Sequence, residues 1–328
     1  MLITQTPLRI SLAGGGTDFA AYYRRQGGGV VSSAIDKFIY VILNQRFDDM
    51  IYLSYSKKEI VSSVDDIHHE LVREAMRMAG VQKGVEIAIM ADIPSEGSGL
   101  GSSSSLTVGL LNAFYAYRGI QVTAEQLARE ACQIEIERCG KPIGVQDQYI
   151  AAYGGMRAFT FRPDDQVEAE DLSCGKTRQE LSSRLLLFYT NKTRQANDIL
   201  REQNARTDIN VAALDILRQQ AVDCRSFLER SELDRIGELM AQNWHIKKKL
   251  ATTISNPDLD RMVEQAHAGG AVGCKICGAG GGGFLLVYCR PEKQDALRHA
   301  MAGYREMPFF LERSGSKVIF NVEGYEWK

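Results

Sequence analysis

Between Val85 and Gly119 the chain changes periodicity abruptly across a run of glycine and serine, and few backbone arrangements tolerate that change. Val85, Ile87, Ile89, Ala91 and Ile93 alternate with their neighbours, which predicts a half-buried strand ended by Pro94. Leu106, Leu110, Phe114 and Tyr117 then recur at helical spacing up to Gly119. The connection, PSEGSGLGSSSS from Pro94 to Ser105, is too closely flanked by strand and helix to be a tether. Gly97, Gly99 and Gly101 allow positive φ and a close approach of backbone to ligand, while a helix start offers unpaired N–H groups and the positive end of its dipole. That combination binds phosphate, and hydroxyls from Ser102 to Ser105 can reach a phosphate oxygen or a cation. The loop lacks the lysine of GxxxxGK(S/T), and its glycines sit at every second position rather than in GxGxxG order.

With 328 residues the chain exceeds the size, about 250–300 residues, at which single cores stop growing, so two domains are expected. The boundary is placed where the polar stretch Asp164 to Ser183 gives way to LLLFY, Leu185 to Tyr189, dividing the chain into residues 1–183 and 184–328. In the first part, Leu2 to Leu12 reads as a strand interrupted at Pro7 that runs into Gly14, Gly15 and Gly16. A second cluster, Gly27 to Gly29, precedes Val30 to Leu43, rich in β-branched and aromatic residues and read as one long strand or two short ones. The second part is mostly helical to Leu250. Asn256 and Pro257 then cap and start a helix whose buried stripe is Leu259, Met262, Val263 and Ala266. Ala271 to Cys277, GAGGGG, and Phe284 to Cys289 read as a hairpin, followed by a helix from Pro291 and a strand around Val318 to Val322.

A net charge of -2, with no basic run of about five or six residues, gives no drive toward nucleic acid or an acidic membrane surface. There is no stretch of about 18 apolar residues and no charged leader with an apolar core, so a cytoplasmic protein without membrane association is expected. Seven cysteines in no framework pattern suit a reducing compartment. Cys274 and Cys277 form a CxxC, but a structural zinc site needs a second ligand pair, and they are read as buried strand cysteines.

Two acidic residues stand out by position. A helix opening with Thr123 and Gln126 in capping-box spacing is predicted to end near Gly140. At about 100° per residue, Leu127, Ala128, Ala131 and Arg138 share one side of it, with Gln126, Glu130, Gln133 and Glu137 opposite. Glu135 falls in the middle of the apolar side, where a carboxylate needs a cation or strong donors; the choice is between a functional role and a salt bridge to Arg138. Asp147 follows a proline and glycine turn in KPIGVQDQYIAAYGG, which taken alone fits a helix cap as well as a functional group.

Read together and in order, PLRISLAGGGTD, PSEGSGLGSSSS, GKPIGVQDQ and KICGAGGGGF closely resemble the motifs of the GHMP kinases, the superfamily of galactokinase, homoserine kinase, mevalonate kinase and phosphomevalonate kinase. Within it the chain most resembles the sugar 1-kinases that act on D-glycero-D-manno-heptose 7-phosphate, through AGGGTD at Ala13 to Asp18, ADIPSEGSGLGSSSSLTVGLLNA from Ala91, IGVQDQYIAAYGG from Ile143 and LLLFYTNKTR from Leu185. Fucokinases carry a related first motif. The resemblance implies an α+β protein with an N-terminal ribosomal protein S5 domain 2-like domain, a C-terminal ferredoxin-like domain and an active site between them. It also implies ATP and Mg²⁺, a small-molecule sugar phosphate as substrate, and a product destined for nucleotide-activated heptose and surface polysaccharide.

By the same resemblance, Gly97, Ser98, Gly99, Leu100, Gly101, Ser102, Ser103, Ser104 and Ser105 cradle the triphosphate, and Ser103 and Glu135 hold the metal ion. Asp147 orients the acceptor hydroxyl and takes its proton, while Arg9 stabilises the transferring phosphoryl. Asp18 contacts sugar hydroxyls, Gly16 and Thr17 shape the adjacent turn, and Gly278, Gly280 and Gly281 close over the site. For a phosphate already on the sugar, Arg194 is the first candidate, with Lys37 and Lys192 behind it. Kinases for L-fucose, galactose or unphosphorylated heptose are the alternatives. An inactive sugar or nucleotide sensor is a further one, disfavoured by the presence of Arg9, Ser103, Glu135 and Asp147 together.

Overall fold

The β-branched stretch after Gly27 becomes one strand of 18 residues, and the larger of two sheets is built around it in the computed structural model, which describes residues 1–94, 97–172, 175–192 and 196–322. In chain order the strands are β1 (Leu2–Ala13), β2 (Gly28–Gln45), β3 (Ile51–Ser54), β4 (Lys58–Val61), β5 (Val85–Ala91), β6 (Met156–Phe161), β7 (Val167–Asp171), β8 (Leu185–Tyr189), β9 (Gly273–Ile276), β10 (Phe284–Tyr288) and β11 (Lys317–Asn321). The helices are α1 (Ala20–Gln26), α2 (Glu70–Ala79), α3 (Ser102–Tyr117), α4 (Ala124–Cys132), α5 (Gln146–Tyr153), α6 (Gly175–Ser182), α7 (Ala196–Ala205), α8 (Val211–Glu229), α9 (Leu233–Lys247), α10 (Pro257–Ala268) and α11 (Gln294–Ala300).

One edge of β2 pairs with β1 along its length, while the other pairs first with β6 and then with β5. The alternating residues Val85 and Ile87 of β5, with Val41 and Leu43 of β2, meet Met76 of α2 and Val108, Leu111 and Phe114 of α3 in the first core. Each of those larger side chains, fully buried, contributes about 1.5–3 kcal/mol. The predicted strand, glycine loop and helix are therefore β5, the segment ending at Gly101, and α3.

The interruption expected at Pro7 is a register shift between Pro7 and Leu8 within a continuous strand. Its consequence is a change of face. Before it, Thr4 and Thr6 turn toward Gly109 of α3. Beyond it, Leu8, Ile10 and Leu12 join a core with Cys224 and Leu228 of α8, Met240 of α9 and Leu286 of β10. Arg9, of opposite parity, turns to α5.

The smaller sheet runs β8, β10, β9, and a bridge from Phe188 to Glu306 adds an edge beside β8. Together with the helices between β8 and β9 and α11 after β10, this is the ferredoxin-like order. The hairpin across the third glycine run is β9 and β10, and both Cys274 and Cys277 are buried. β11 lies within residues 184–328, yet it pairs with β1 in the larger sheet. An open edge of β1 has donors and acceptors to satisfy, and the returning chain supplies them; Ser316 Oγ adds contacts to Thr6 Oγ1 at 2.8 Å and Asn112 Nδ2 at 2.9 Å.

The helix predicted to run from Thr123 to near Gly140 changes form. It is α-helical to Cys132 and then a π turn from Gln133 to Arg138, which buries Ile134 and Glu135 side by side.

Lys275 is the least expected occupant of the interior. Every residue of β9 is buried, and Lys275, 1% exposed, reaches from the second sheet to Leu12 O of β1 at 3.4 Å. Burial, and then the nearby charge of Lys247, lower its pKa from 10.5 to about 7. Between those values the unfolded chain holds more protons than the folded one, so stability rises with pH across that window, by up to about 1.4 kcal/mol per pH unit. The midpoint of denaturant unfolding of the wild type should thus rise from pH 7 to pH 9, and Lys275→Met should flatten that rise while raising stability most at pH 7. An equally steep rise in the variant would place the titration elsewhere.

Candidate active site

A cavity of about 530 Å³ opens where the glycine and serine loop, the start of α5, the end of α9 and the third glycine run meet. At its floor Arg9 engages both oxygens of Asp147, Nε to Oδ1 at 2.7 Å and Nη2 to Oδ2 at 2.5 Å. Its Nη1 donates to Gly99 O at 2.7 Å and its backbone N–H to Leu100 O at 3.0 Å. One buried arginine thus fixes strand, loop and aspartate in a single network. Burial opposes the Arg9 charge, but Asp147 more than compensates and holds the guanidinium above its ordinary pKa. Asp147 lies in the first turn of α5 and keeps part of its carboxylate open to the cavity, so a hydroxyl there can approach a remaining lone pair.

Asp18 stands beside this pair. It accepts from Gly16 N at 2.9 Å and Gln146 N at 3.4 Å, and burial, then the charge of Asp147, push its pKa up against those donors. A side chain at position 144 would put Cβ 2.0 Å from Asp18 Oδ2, so the glycine of the IGVQDQ segment makes room for the carboxylate.

Gly97, Gly99 and Gly101 all take positive φ, and Gly101 caps α3 in the left-handed region. Gly97, Ser98, Gly99, Gly101, Ser102, Ser103 and Ser104 line the cavity, with the Ser103 side of α3 exposed. Leu100 and Ser105 do not: Leu100 is the loop's anchor in the shared core, and Ser105 Oγ donates to Pro7 O at 2.7 Å. Thr17, too, is turned away, its hydroxyl bonded to Gly14 O and Gly29 O at 2.8 and 2.9 Å, while Gly16 and Asp18 line the cavity. Of the third run, Gly278 reaches the cavity, whereas Gly280 and Gly281 wrap Ile254, with Gly281 N bonded to Ile254 O at 2.7 Å.

Glu135 is 0% exposed. Gln148 Nε2 donates to its Oε2 at 2.7 Å, and Oε1 has no hydrogen-bond partner, with Lys141 Nζ at 3.6 Å. Arg138, the partner weighed from sequence, instead faces Glu74 at 3.6 Å. The π turn packs against α3. Glu135 does not line the cavity, whereas Ser103 and Lys141 do; Glu135 Oε1, without a hydrogen-bond donor and on an element against the helix that carries Ser103, has a lone pair that suits a hard cation completed by phosphate oxygens. Among the described residues no cluster of three or more acidic, cysteine or histidine ligands occurs, so the protein itself would supply few of the ligands.

The candidates for a second anion distribute differently. Lys37 Nζ is occupied by Asp36 and Lys192 by Asp258, neither lining the cavity, and Arg194 lies outside the described residues. The lysines that do line it, Lys141 and Lys247, escaped the sequence reading. For Lys247 a signal existed: it continues the buried stripe of Met240 and Trp244 along α9, as Glu135 did on its own helix.

The family model described as GHMP kinases N terminal domain matches residues 64–155, and that described as GHMP kinases C terminal matches residues 224–305. The chain is 31% identical to a D-glycero-alpha-D-manno-heptose 7-phosphate kinase of Campylobacter jejuni, covering 91% of this chain and 92% of that one. A crystal structure of a D-glycero-D-manno-heptose 1-phosphate kinase from Bacteroides thetaiotaomicron superposes with a TM-score of 0.83 at 23% identity, over 99% of this chain and 100% of the other. A candidate sugar kinase from Campylobacter jejuni does so with a TM-score of 0.80 at 28% identity over 97% of each chain.

The two glycine runs interlock tightly enough to test. A Cβ on Gly283, at φ +86°, would stand 2.4 Å from Ser98 O. Gly283→Ala should lose about 1–3 kcal/mol of stability, read as a lower midpoint of thermal unfolding. Gly303, where an added methyl would meet nothing within 4 Å, should tolerate alanine and serves as the control.

Proposed function

The chain belongs to the GHMP kinases and is an ATP-dependent sugar kinase, and we propose that its acceptor is the anomeric hydroxyl of D-glycero-D-manno-heptose 7-phosphate. The observation that carries the chemistry is the Arg9–Asp147 pair, which joins the loop for the triphosphate to the part of the cavity lined by Gly16 and Asp18. The choice of sugar is supported by the similarity to the Campylobacter jejuni heptose 7-phosphate kinase along nearly the whole of both chains.

On this reading the loop N–H groups and the start of α3 hold the phosphates of ATP. Asp147 orients the C1 hydroxyl and accepts its proton as the C1 oxygen bonds to the γ-phosphorus and the bond to the bridging oxygen of ADP breaks. Arg9 keeps Asp147 in place and offers positive charge beside the transferring group. With a loose transition state, positioning contributes much of the rate. Ser103 and Glu135 would hold Mg²⁺, which when bound neutralises phosphate charge. The work is done in the cytoplasm, where ATP is supplied, and the product is a sugar 1-phosphate of the kind nucleotidyltransferases consume. No helix among the described residues is long and apolar enough to cross a membrane.

Three measurements test this. Offered heptose 7-phosphate, unphosphorylated heptose, L-fucose and galactose, the enzyme should show its highest kcat/KM with the first, and product spectra should place the new phosphate on C1; a higher value for another sugar replaces the proposed acceptor. Asp147→Asn should lower kcat by a factor on the order of 10²–10⁴ while ATP still binds, and near wild-type turnover would remove Asp147 from the chemistry. Glu135→Gln should raise the Mg²⁺ concentration needed for half-maximal rate, whereas an unchanged titration would leave Glu135 as the structural partner of Lys141 and Gln148.

A further inference from the structure

If the acceptor carries a phosphate, the cavity must hold a second anion away from the triphosphate while presenting Asp18 and Asp147 to the same sugar. Two carboxylates at the acceptor end repel a sugar phosphate unless a cation stands with them. Among the described residues the cationic side chains lining the cavity are Arg9, Lys141 and Lys247. Arg9 is committed to Asp147 and Gly99. Lys141 lies between two carboxylates, with Glu135 Oε1 and Glu70 Oε1 each 3.6 Å from its Nζ.

Lys247 differs in origin. It ends α9 in the second domain, is 6% exposed, and donates to the carbonyl of Gly278 at 2.6 Å. Its Nζ comes within 3.7 Å of where a Cβ on the buried Gly15 would be, as do Ser11 Oγ at 3.7 Å and Gln146 Nε2 at 3.8 Å; of these residues Lys247 and Gln146 line the cavity, and Ser11 and Gly15 lie behind them. Ser11 Oγ is buried without a hydrogen-bond partner, and Gln146 is fixed by Ser32 Oγ bonding its Oε1 at 3.2 Å, which leaves the amide nitrogen toward Gly15. An ammonium and an amide N–H that both face the cavity, beside a residue without a side chain, make a donor set suited to phosphate oxygens.

We infer that Lys247, with Gln146 beside it, holds the phosphate already present on the acceptor sugar and makes the enzyme prefer a phosphorylated substrate. The inference rests on the proposed sugar-phosphate acceptor and adds which residues select it. The second domain, on this view, supplies the charge that selects the substrate, beside Gln146 of the first, and the first supplies the groups that transfer the phosphoryl.

The test uses the full-length enzyme and the ratio of kcat/KM for heptose 7-phosphate to that for unphosphorylated heptose. Lys247→Gln removes the charge and keeps a donor for Gly278 O; it should reduce the ratio at least tenfold, chiefly through KM for the phosphorylated sugar. Lys247→Arg keeps the charge and should retain most of the preference, so a folding defect in one variant does not decide the outcome. An unchanged ratio in Lys247→Gln, or an equal fall in kcat with both sugars, overturns the inference and assigns Lys247 to the transferred group or to packing. A wild type indifferent to the 7-phosphate overturns the proposed acceptor as well, and that failure is visible before any variant is made.

Discussion

The site depends on one ion pair. Arg9 holds both oxygens of Asp147 and the carbonyl of Gly99 at once, so the strand, the phosphate loop and the start of α5 cannot shift independently. Removing either partner would leave the other charge inside the protein, a loss that reaches about 3–5 kcal/mol for fully buried pairs and less here, because Asp147 is 23% exposed. The pair in turn requires the register shift between Pro7 and Leu8. Without that change of face Leu8, Ile10 and Leu12 would continue on the side of Thr4 and Thr6 and lose their core with α8 and α9, and Arg9 would turn away from α5.

The two domains are joined by backbone as much as by side chains. Gly278 and Gly283 lie against Gly99 and Ser98 at distances no side chain permits, and β11 returns from beyond the second sheet to complete the first. The shared core of Leu8, Ile10 and Leu12 with Cys224, Leu228 and Met240 fixes the geometry of the cavity between them. A phosphate loop that would otherwise carry exposed N–H groups and several positive-φ glycines is thereby held from both sides.

Features set by local periodicity were legible in the sequence. The alternation of Val85 to Ile93 and the spacing of Leu106 to Tyr117 depend on near neighbours alone, and the helical phase of Glu135 is enough to mark it as misplaced. What depends on distant packing was not legible. The pairing of β11 with β1 joins Leu2 to Asn321, near opposite ends of the chain, and the π turn from Gln133 to Arg138 answers to α3 and Gln148 rather than to its own sequence. Within motifs, position did not reveal direction: Leu100, Ser105, Thr17, Gly280 and Gly281 stand in the right segments and turn into the protein. Lys247 could have been read from the same stripe logic as Glu135, but a lysine that opens the run Lys247, Lys248, Lys249 resembles a solvated helix end.

The charges around the cavity explain why its groups come from both domains. Asp147, Asp18 and Arg9 all lie in the first domain, within one neighbourhood, and Asp147 already pushes the pKa of Asp18 upward. A further cation on the same strand or turn would compete with Arg9 for Asp147 and loosen the bidentate pair. Lys247 avoids that competition because it enters from α9 and is tied to Gly278 O, on the other wall. A smaller cost appears at Lys275, whose pKa is lowered to about 7 chiefly by burial and then by the charge of Lys247. An anion bound beside Lys247 would oppose the part of that lowering that comes from Lys247, so the charge that adds to the burden on Lys275 is the charge that favours an acidic ligand.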